Sequence, residues 1–487
     1  AHERLALQAG ERVLLVGVGT GIDLPLLPVG IDPAVHVLKI AYTEVAEKTR
    51  QNSVLIMNGI DHAPPNPNAV PMAQGLAQAL DTDVHISLLE GFVDSIEGEL
   101  PDYRGSLIGG RIANLLPGVW SARLPLKLAN RRAETTLTSV TEPLAALAAL
   151  FGLRDERASL TTAWKALLKN QAHDSIGGCS IDRVHTQMQP RFFAAQSLAD
   201  ETARRVMERL AGQYPSRQTP MGQRFEVAVF NPTPYRRAGV ARIALDATPA
   251  LASVEEGTIF HPILLANKGE TGYTAEGKIV RMVPGNSDGR FFFDEHQHAI
   301  DLEIPVDDLP AYGYKRIVLE PSPLAEDQAD DSRSIDNEHI AVTLQENGDI
   351  DLTIHSEHFS GLFAVEDLPD RGDSYDADIL PDDGRCQLLR CKHQRIRHAN
   401  GTQVLQVERL FRIPRELSAD RAARGSEETG VRLFTEFVLY PGSDELKVRV
   451  RLKNTAMDHR LRLLFPTGKA VETFRYATTL DVASGVP

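Results

Sequence analysis

The sequence predicts a multidomain α+β protein: a remnant of an α/β domain, then a helical bundle domain, then β-sandwich domains. Three observations predict it. Up to about residue 106 short apolar strands alternate with loops and helical stretches, the texture of an α/β layer. From 107 to 212 apolar residues recur at helical spacing. From 213 to 487 short alternating strands are separated by turn residues, as in sandwiches.

Taken in order, Val13–Val16 is a buried-type strand that runs into Gly17, Gly19 and Gly21. Val54–Met57 is a second strand, and Pro64, Pro65 and Pro67 end regular structure after it. Met72–Leu80 is expected to be a helix, and His85–Leu89 fits either a strand or a helix. Trp164, Leu167, Leu168 and Gln171 fall at i, i+3, i+4 and i+7 of one helix that ends at His173-Asp174. Gly177-Gly178 then links to a second helix with Ile181, Val184, Met188 and Phe192 on one face, Ser180 as its cap and Asp182 in its first turn. Strands are expected at 225–230, 316–319, 339–344, 431–439 and 446–452, with 325–333 as a polar linker or insertion.

The 487 residues are 42% hydrophobic and 24% charged, enough for a sizeable core in about three domains. The formal net charge of −14 argues against nucleic acid as a partner and is neutral toward an uncharged sugar. Three cysteines make no disulfide framework, so a reducing, cytoplasmic location is expected. Cys386-x4-Cys391 lacks a second pair, so both are expected to be buried or incidental rather than zinc ligands. No apolar run reaches the ~18 residues that span a bilayer, and no leader pattern opens the chain, so no membrane association is expected.

Two short patterns carry possible chemistry. His173 beside Asp174 offers an imidazole for zinc and a carboxylate that can orient a ligand or bind a hydroxyl; the plainer alternative is a packed polar pair at a helix end. Asp61, in Asn58-Gly-Ile-Asp-His62, is placed either for acid–base work or as an Asx-turn residue beside the proline-rich loop.

The stretch Asn170-Gln-Ala-His-Asp-Ser-Ile-Gly-Gly-Cys-Ser180 resembles the hallmark segment of bacterial glycoside hydrolase family 38 α-mannosidases. Other segments resemble that family in its order. They are Asn58–His62, Pro117-Gly-Val-Trp-Ser-Ala-Arg123 with Lys127 and Asn130, Val227–Pro232, Leu309-Pro-Ala-Tyr-Gly-Tyr314 and Gly372-Asp-Ser-Tyr375. The nearest texture is the branch that includes mannosylglycerate hydrolases. The resemblance implies a retaining α-mannosidase acting on a mannoside or mannosyl conjugate, with zinc as cofactor. It implies His173 as a metal ligand, Asp61 as the catalytic acid/base, and Asp174 and His62 as substrate contacts. Tyr375 either faces the sugar or packs. An oligomer is left open.

The departures are as definite. The family draws a His-x-Asp zinc pair and its aspartate nucleophile from a long N-terminal α/β region; no His-x-Asp precedes Asn58 here, and His298-Ala-Ile-Asp301 has the wrong spacing. The expectation is therefore a chain truncated or rearranged at both ends, weak or inactive alone. Its rival is a non-catalytic carbohydrate-binding or interaction fragment. Residues 1–30 resemble the first motif of class I S-adenosylmethionine-dependent methyltransferases, a minor alternative because the remaining strand–helix units of that fold are not found and Asp32 comes too early to be a ribose anchor.

Overall fold

The computed structural model describes residues 12–16, 31–47, 49, 51–57, 66–100, 116–212, 224–246, 271–284, 299–323, 327–470, 473–477 and 482–485. The chain divides into two compact units, one from the chain before Pro117 together with the segment after Lys469, the other from Pro117 to Lys469.

The first unit is a small α/β layer. Its elements before Pro117 are β1 (Arg12–Val16), α1 (Ile31–Ala46), β2 (Ser53–Met57), α2 (Ala69–Leu80), β3 (Asp83–Ser87) and α3 (Leu89–Asp94), and its C-terminal segment adds an antiparallel pair, Phe474–Ala477 with Val482–Gly485. The three strands are parallel, with β1 in the middle. Ala34, Leu38 and Tyr42 recur every four residues on α1, as do Met72, Leu76 and Leu80 on α2, and both stripes close on Val54 and Ile56. Helix α1 is not anticipated by the sequence reading, since Val35, Val37 and Ile40 between its three core positions blur the helical period. Asp32 lies in its first turn, not at a strand end. The 85–89 ambiguity resolves into both answers, a strand to Ser87 and a helix from Leu89.

The second unit opens with a 3-10 turn (Pro117–Trp120) and the helices α4 (Leu124–Thr136), α5 (Glu142–Leu150), α6 (Arg157–Leu168), α7 (His173–Gly177) and α8 (Asp182–Ala211). A π-helical turn, Leu137–Thr141, joins α4 to α5. Leu126, Ala133, Leu137, Ala163, Leu167, Met188, Phe192, Ala195 and Ala199 form one core. Three expectations are corrected. Leu168 and Ile181 are exposed, because the buried stripes run through Ala163 and Leu167 and through His185, Met188 and Phe192. His173 and Asp174 begin a short helix of their own instead of ending a longer one. Ser180 does not cap α8: Ile181 takes the cap position in extended conformation, and Arg123 holds the Asp182 carboxylate.

The β strands follow in chain order: β4 (Phe225–Asn231), β5 (Arg237–Asp246), β6 (Thr271–Ala275), β7 (Lys278–Ile279), β8 (Arg281–Pro284), β9 (Ala299–Leu309) and β10 (Gly313–Pro323). They make two antiparallel sheets, β4-β10-β6-β7 and β5-β9-β8, that share a core around Tyr273, Leu302, Ile304, Ile317 and Leu319. Next come β11 (Gln328–Asp330), β12 (Ser334–Asp336), β13 (Ile340–Leu344), β14 (Ile350–Ile354), β15 (Glu357–Leu362), β16 (Ala364–Pro369), β17 (Gln387–Arg397), β18 (Gln403–Pro414), β19 (Glu428–Leu439), β20 (Leu446–Lys453) and β21 (His459–Leu464). Sheet β11-β17-β18-β19-β20 packs on β12-β13-β14-β15 through Val342, Ile350, Leu405, Val407 and Phe437. The multidomain α+β architecture is the one the sequence predicts. Part of the expected 325–333 linker is instead strand β11, paired with β17. Its three residues, Gln328, Ala329 and Asp330, are all exposed and none is a large apolar one, which hides it from a reading based on alternation. Among the described residues no helix is long and apolar enough to cross a membrane.

Candidate functional site

The site is built on α7, whose five residues are exposed or half-buried. Its end is knotted at one atom: the amides of Gly178, Cys179 and Ser180 each donate to the Asp174 carbonyl at 3.2 Å. Gly178 makes this possible at φ 88°, where a Cβ would also crowd the Ala122 carbonyl and Lys127 Nζ. Lys127 Nζ, half-buried, donates to the carbonyls of Ile176 (2.8 Å) and Gly177 (3.0 Å), and also to Ala122. Burial holds the Lys127 ammonium below its usual pKa, followed by opposing influences of Cys179 and Arg123. Arg123 Nε donates to the Gly178 carbonyl at 3.1 Å.

These braces leave the functional side chains pointing outward. His173 is 93% exposed, with Nε2 3.4 Å from Asp174 Oδ2. The Cys179 thiol donates to Asp174 Oδ1 at 3.4 Å. Tyr375 arrives from the loop between β16 and β17. Its hydroxyl is held above its usual pKa by the hydrogen bond and charge of Cys179, then by burial and the Asp174 charge. That puts Tyr375, Cys179 and Asp174 side by side, with Tyr375 still 36% exposed. The Tyr375 loop is folded on its own carboxylates. Asp370 Oδ1 accepts from the amides of Gly372 and Asp378, and Asp373 Oδ1 from those of Tyr375 and Asp376. It is fastened to the 3-10 turn by the Gly118 amide, which donates to the Tyr375 carbonyl at 2.7 Å. Trp120, on the same turn, is 61% exposed.

The structure therefore brings together three of the expected residues, His173, Asp174 and Tyr375. Asp61 and His62, and with them the separation between Asp61 and His173, lie outside the described residues, as do Gly17, Gly19 and Gly21. Asn170 and Gln171, from the same signature, have other work. Asn170 is buried, donating to the Met188 carbonyl (3.0 Å) and accepting from Arg191 (3.2 Å), while Gln171 is tied to Asn130. Cys179, Arg123 and Lys127 were missed as site residues; their signal was that 117–130 and 170–185 stand out together in the sequence.

Among the described residues no group of three His, Cys, Asp or Glu side chains converges to hold an ion. The described donors alone do not fit a catalytic zinc, which takes about three protein ligands and an open position. Cys386 and Cys391 are free and half-buried, and burial raises both thiol pKa values, that of Cys386 to about 11.

The family model described as the alpha mannosidase middle domain matches residues 114–210, the segment that builds the α7 side of the site. The chain is 28% identical over 476 residues to the protein named "Putative mannosylglycerate hydrolase" of Halalkalibacterium halodurans, a match covering 86% of this chain and 51% of that one. It spans about half the length of the curated relative it matches. Its fold is similar to a glycosyl hydrolase family 38 protein from Enterococcus faecalis (TM-score 0.60, 22% identity, 94% of this chain and 57% of that one). It is also similar to an alpha-mannosidase from Enterococcus faecalis V583 (TM-score 0.64, 21% identity, 95% and 56%). The matched middle domain, the ordered signature segments and a shared fold over most of the chain make this protein similar to the glycoside hydrolase family 38 enzymes, with the alpha mannosidase middle domain matched directly at residues 114–210.

Proposed function

We propose that this chain carries the sugar-holding part of an α-mannosidase whose complete form hydrolyses α-mannosides or mannosyl conjugates with retention of configuration. The observation that carries the reading is the meeting of Asp174, Cys179 and Tyr375 beside His173 on an exposed surface that the fold braces from behind. A sugar needs hydroxyl acceptors and donors together with apolar contact. Asp174 offers the acceptor, the Tyr375 hydroxyl is protonated at neutral pH, and Trp120 presents an exposed ring.

Retaining hydrolysis uses one carboxylate to attack the anomeric carbon and an acid to protonate the leaving oxygen. Asp61 is our candidate for the acid and His62 for a further substrate contact. No residue of this chain is named as nucleophile. Zinc is the ion of the complete site, and His173 is the ligand that this chain would supply to it. A lone acid contributes about 10²–10⁴-fold, short of the ~10⁶ or more expected of an enzyme. The chain by itself is thus expected to bind mannosides and turn them over poorly. The second reading, a carbohydrate-binding fragment without catalysis, shares the Asp174 surface and drops only the reaction.

The experiment is an assay of the purified chain with 4-nitrophenyl α-D-mannoside, with and without zinc, alongside calorimetric titration of methyl α-D-mannoside. Little turnover is expected, with binding that weakens about tenfold in Asp174→Ala, the loss of roughly one good hydrogen bond. Robust turnover abolished by Asp61→Ala would mean that the chain holds its own nucleophile. Unchanged binding in Asp174→Ala would remove the sugar-holding surface.

A further inference from the structure

A cavity of about 840 Å³ is formed by elements that take no part in the α7 site. It lies within the ~300–1,000 Å³ range of small-molecule sites. Its walls are the start of β5, the β6–β7 turn, the Glu303–Asp307 stretch of β9, the turn before β18 and the turn after β19.

The floor is a buried polar cluster. Glu303 is 3% exposed and accepts from Arg281 Nη1 (2.8 Å), from Arg242 and from the Tyr440 hydroxyl (3.1 Å). Burial works to raise the Glu303 pKa, yet the Arg281 and Arg242 guanidiniums outweigh it and keep the group anionic. Burial, and then the Glu303 charge, push the Tyr440 phenol up to about 12, so it stays a donor. Thr402 lines the cavity, wholly buried, and its hydroxyl has no partner. Next to it, the His398 amide donates to the Thr402 carbonyl at 2.9 Å. His398 Nδ1 is 2.8 Å from Asp327, while Nε2 is buried without a partner, as is Arg281 Nε. Buried polar groups are normally paired, so the unpaired Thr402 hydroxyl on the cavity wall marks a place where a ligand supplies the partner.

The lining also limits what that ligand is. Cationic and anionic side chains are equal in number, four of each, so neither a phosphate-like anion nor an amine is favoured. Tyr440 and Pro441 add apolar surface beside these groups. Hydroxyls donate and accept at once, and a ring of C–H groups covers apolar surface. We propose that this cavity is a binding site for a neutral saccharide of one or two rings, separate from the α7 site and holding whether or not that site is catalytic.

The test uses α-1,3-mannobiose as the probe, followed by saturation-transfer NMR and calorimetry on the full chain carrying Asp174→Ala, so that binding at the α7 surface is weakened about tenfold. Gly239 lines the cavity, and a Cβ built there meets nothing within 4 Å, so Gly239→Trp fills the space without disturbing the fold. The expected result is binding at a Kd on the order of 1–10 mM that Gly239→Trp abolishes and Thr402→Val weakens about tenfold. The melting temperature of Gly239→Trp, matched to that of its parent, guards against misfolding. Absence of mannobiose binding in the Asp174→Ala chain, or binding that survives Gly239→Trp, overturns the proposal. Displacement of the sugar by sodium sulfate also overturns it, in favour of an anion site.

Discussion

Gly118 decides where Tyr375 stands. Its amide holds the Tyr375 carbonyl, and a Cβ at this position would lie 2.6 Å from that same oxygen, a clash of backbone against side chain that neither can relieve by a rotamer change. Gly118→Ala is therefore expected to cost about 1–3 kcal/mol in urea unfolding and to weaken mannoside binding by displacing Tyr375. An unaltered midpoint would mean that the turn yields freely. Asp367 is a second residue on which much depends. It is buried with Arg424 at 2.7 Å and His459 in contact, so Asp367→Leu strands a buried guanidinium. The expected loss is about 3–5 kcal/mol, and a loss below 1 kcal/mol would show that Arg424 finds another partner. At this scale the sequence made His173, Asp174 and Tyr375 visible through their segments. It could not show that Asn170 supports the neighbouring helix from inside, because that role rests on the Met188 carbonyl 18 residues away.

Strand β11 shows how a polar element holds its place. Asp330 takes both Arg395 Nε (2.9 Å) and Nη2 (2.6 Å), and accepts the Ser332 amide at 2.9 Å. These bonds, Arg395 first, hold the Asp330 carboxyl down at about 2 from its ordinary 3.8. A carboxyl with a depressed folded-state pKa adds stability that is present above its unfolded value and lost as pH falls through the folded one. Asp330→Asn is thus expected to be less stable than the parent at pH 6, with the gap closing between pH ~4 and ~2. Urea midpoints across that range check it, and a gap that stays constant would place the effect elsewhere. Helix α8 makes the complementary point. Its 3.6-residue period was legible, but its face was misjudged, since Ile181 looks like the first core position and stands at the cap, 70% exposed. Periodicity identifies a helix; only its partners identify which stripe is covered.

Among the described residues, the buried core clusters of the second unit run from Leu126 to Leu439, and none shares a residue with the Ala34–Leu80 cluster of the first. Residues 117–469 expressed alone are expected to fold with a cooperative thermal transition and native helix content. A broad, non-cooperative melt by circular dichroism would show that this unit depends on the rest of the chain. The sequence by itself determined the order of an α/β layer, helices and sandwiches, because hydrophobic period and turn residues are local properties. It also carried the resemblance to glycoside hydrolase family 38, because the signature segments are contiguous. Tertiary structure alone decided that the turn at Gly118 clasps Tyr375, that Lys127 and Arg123 brace α7, and that Glu303, Tyr440 and Thr402 enclose a cavity. These pairs lie tens to hundreds of residues apart, so their meeting is set by how sheets and helices pack and not by anything a local window of sequence records.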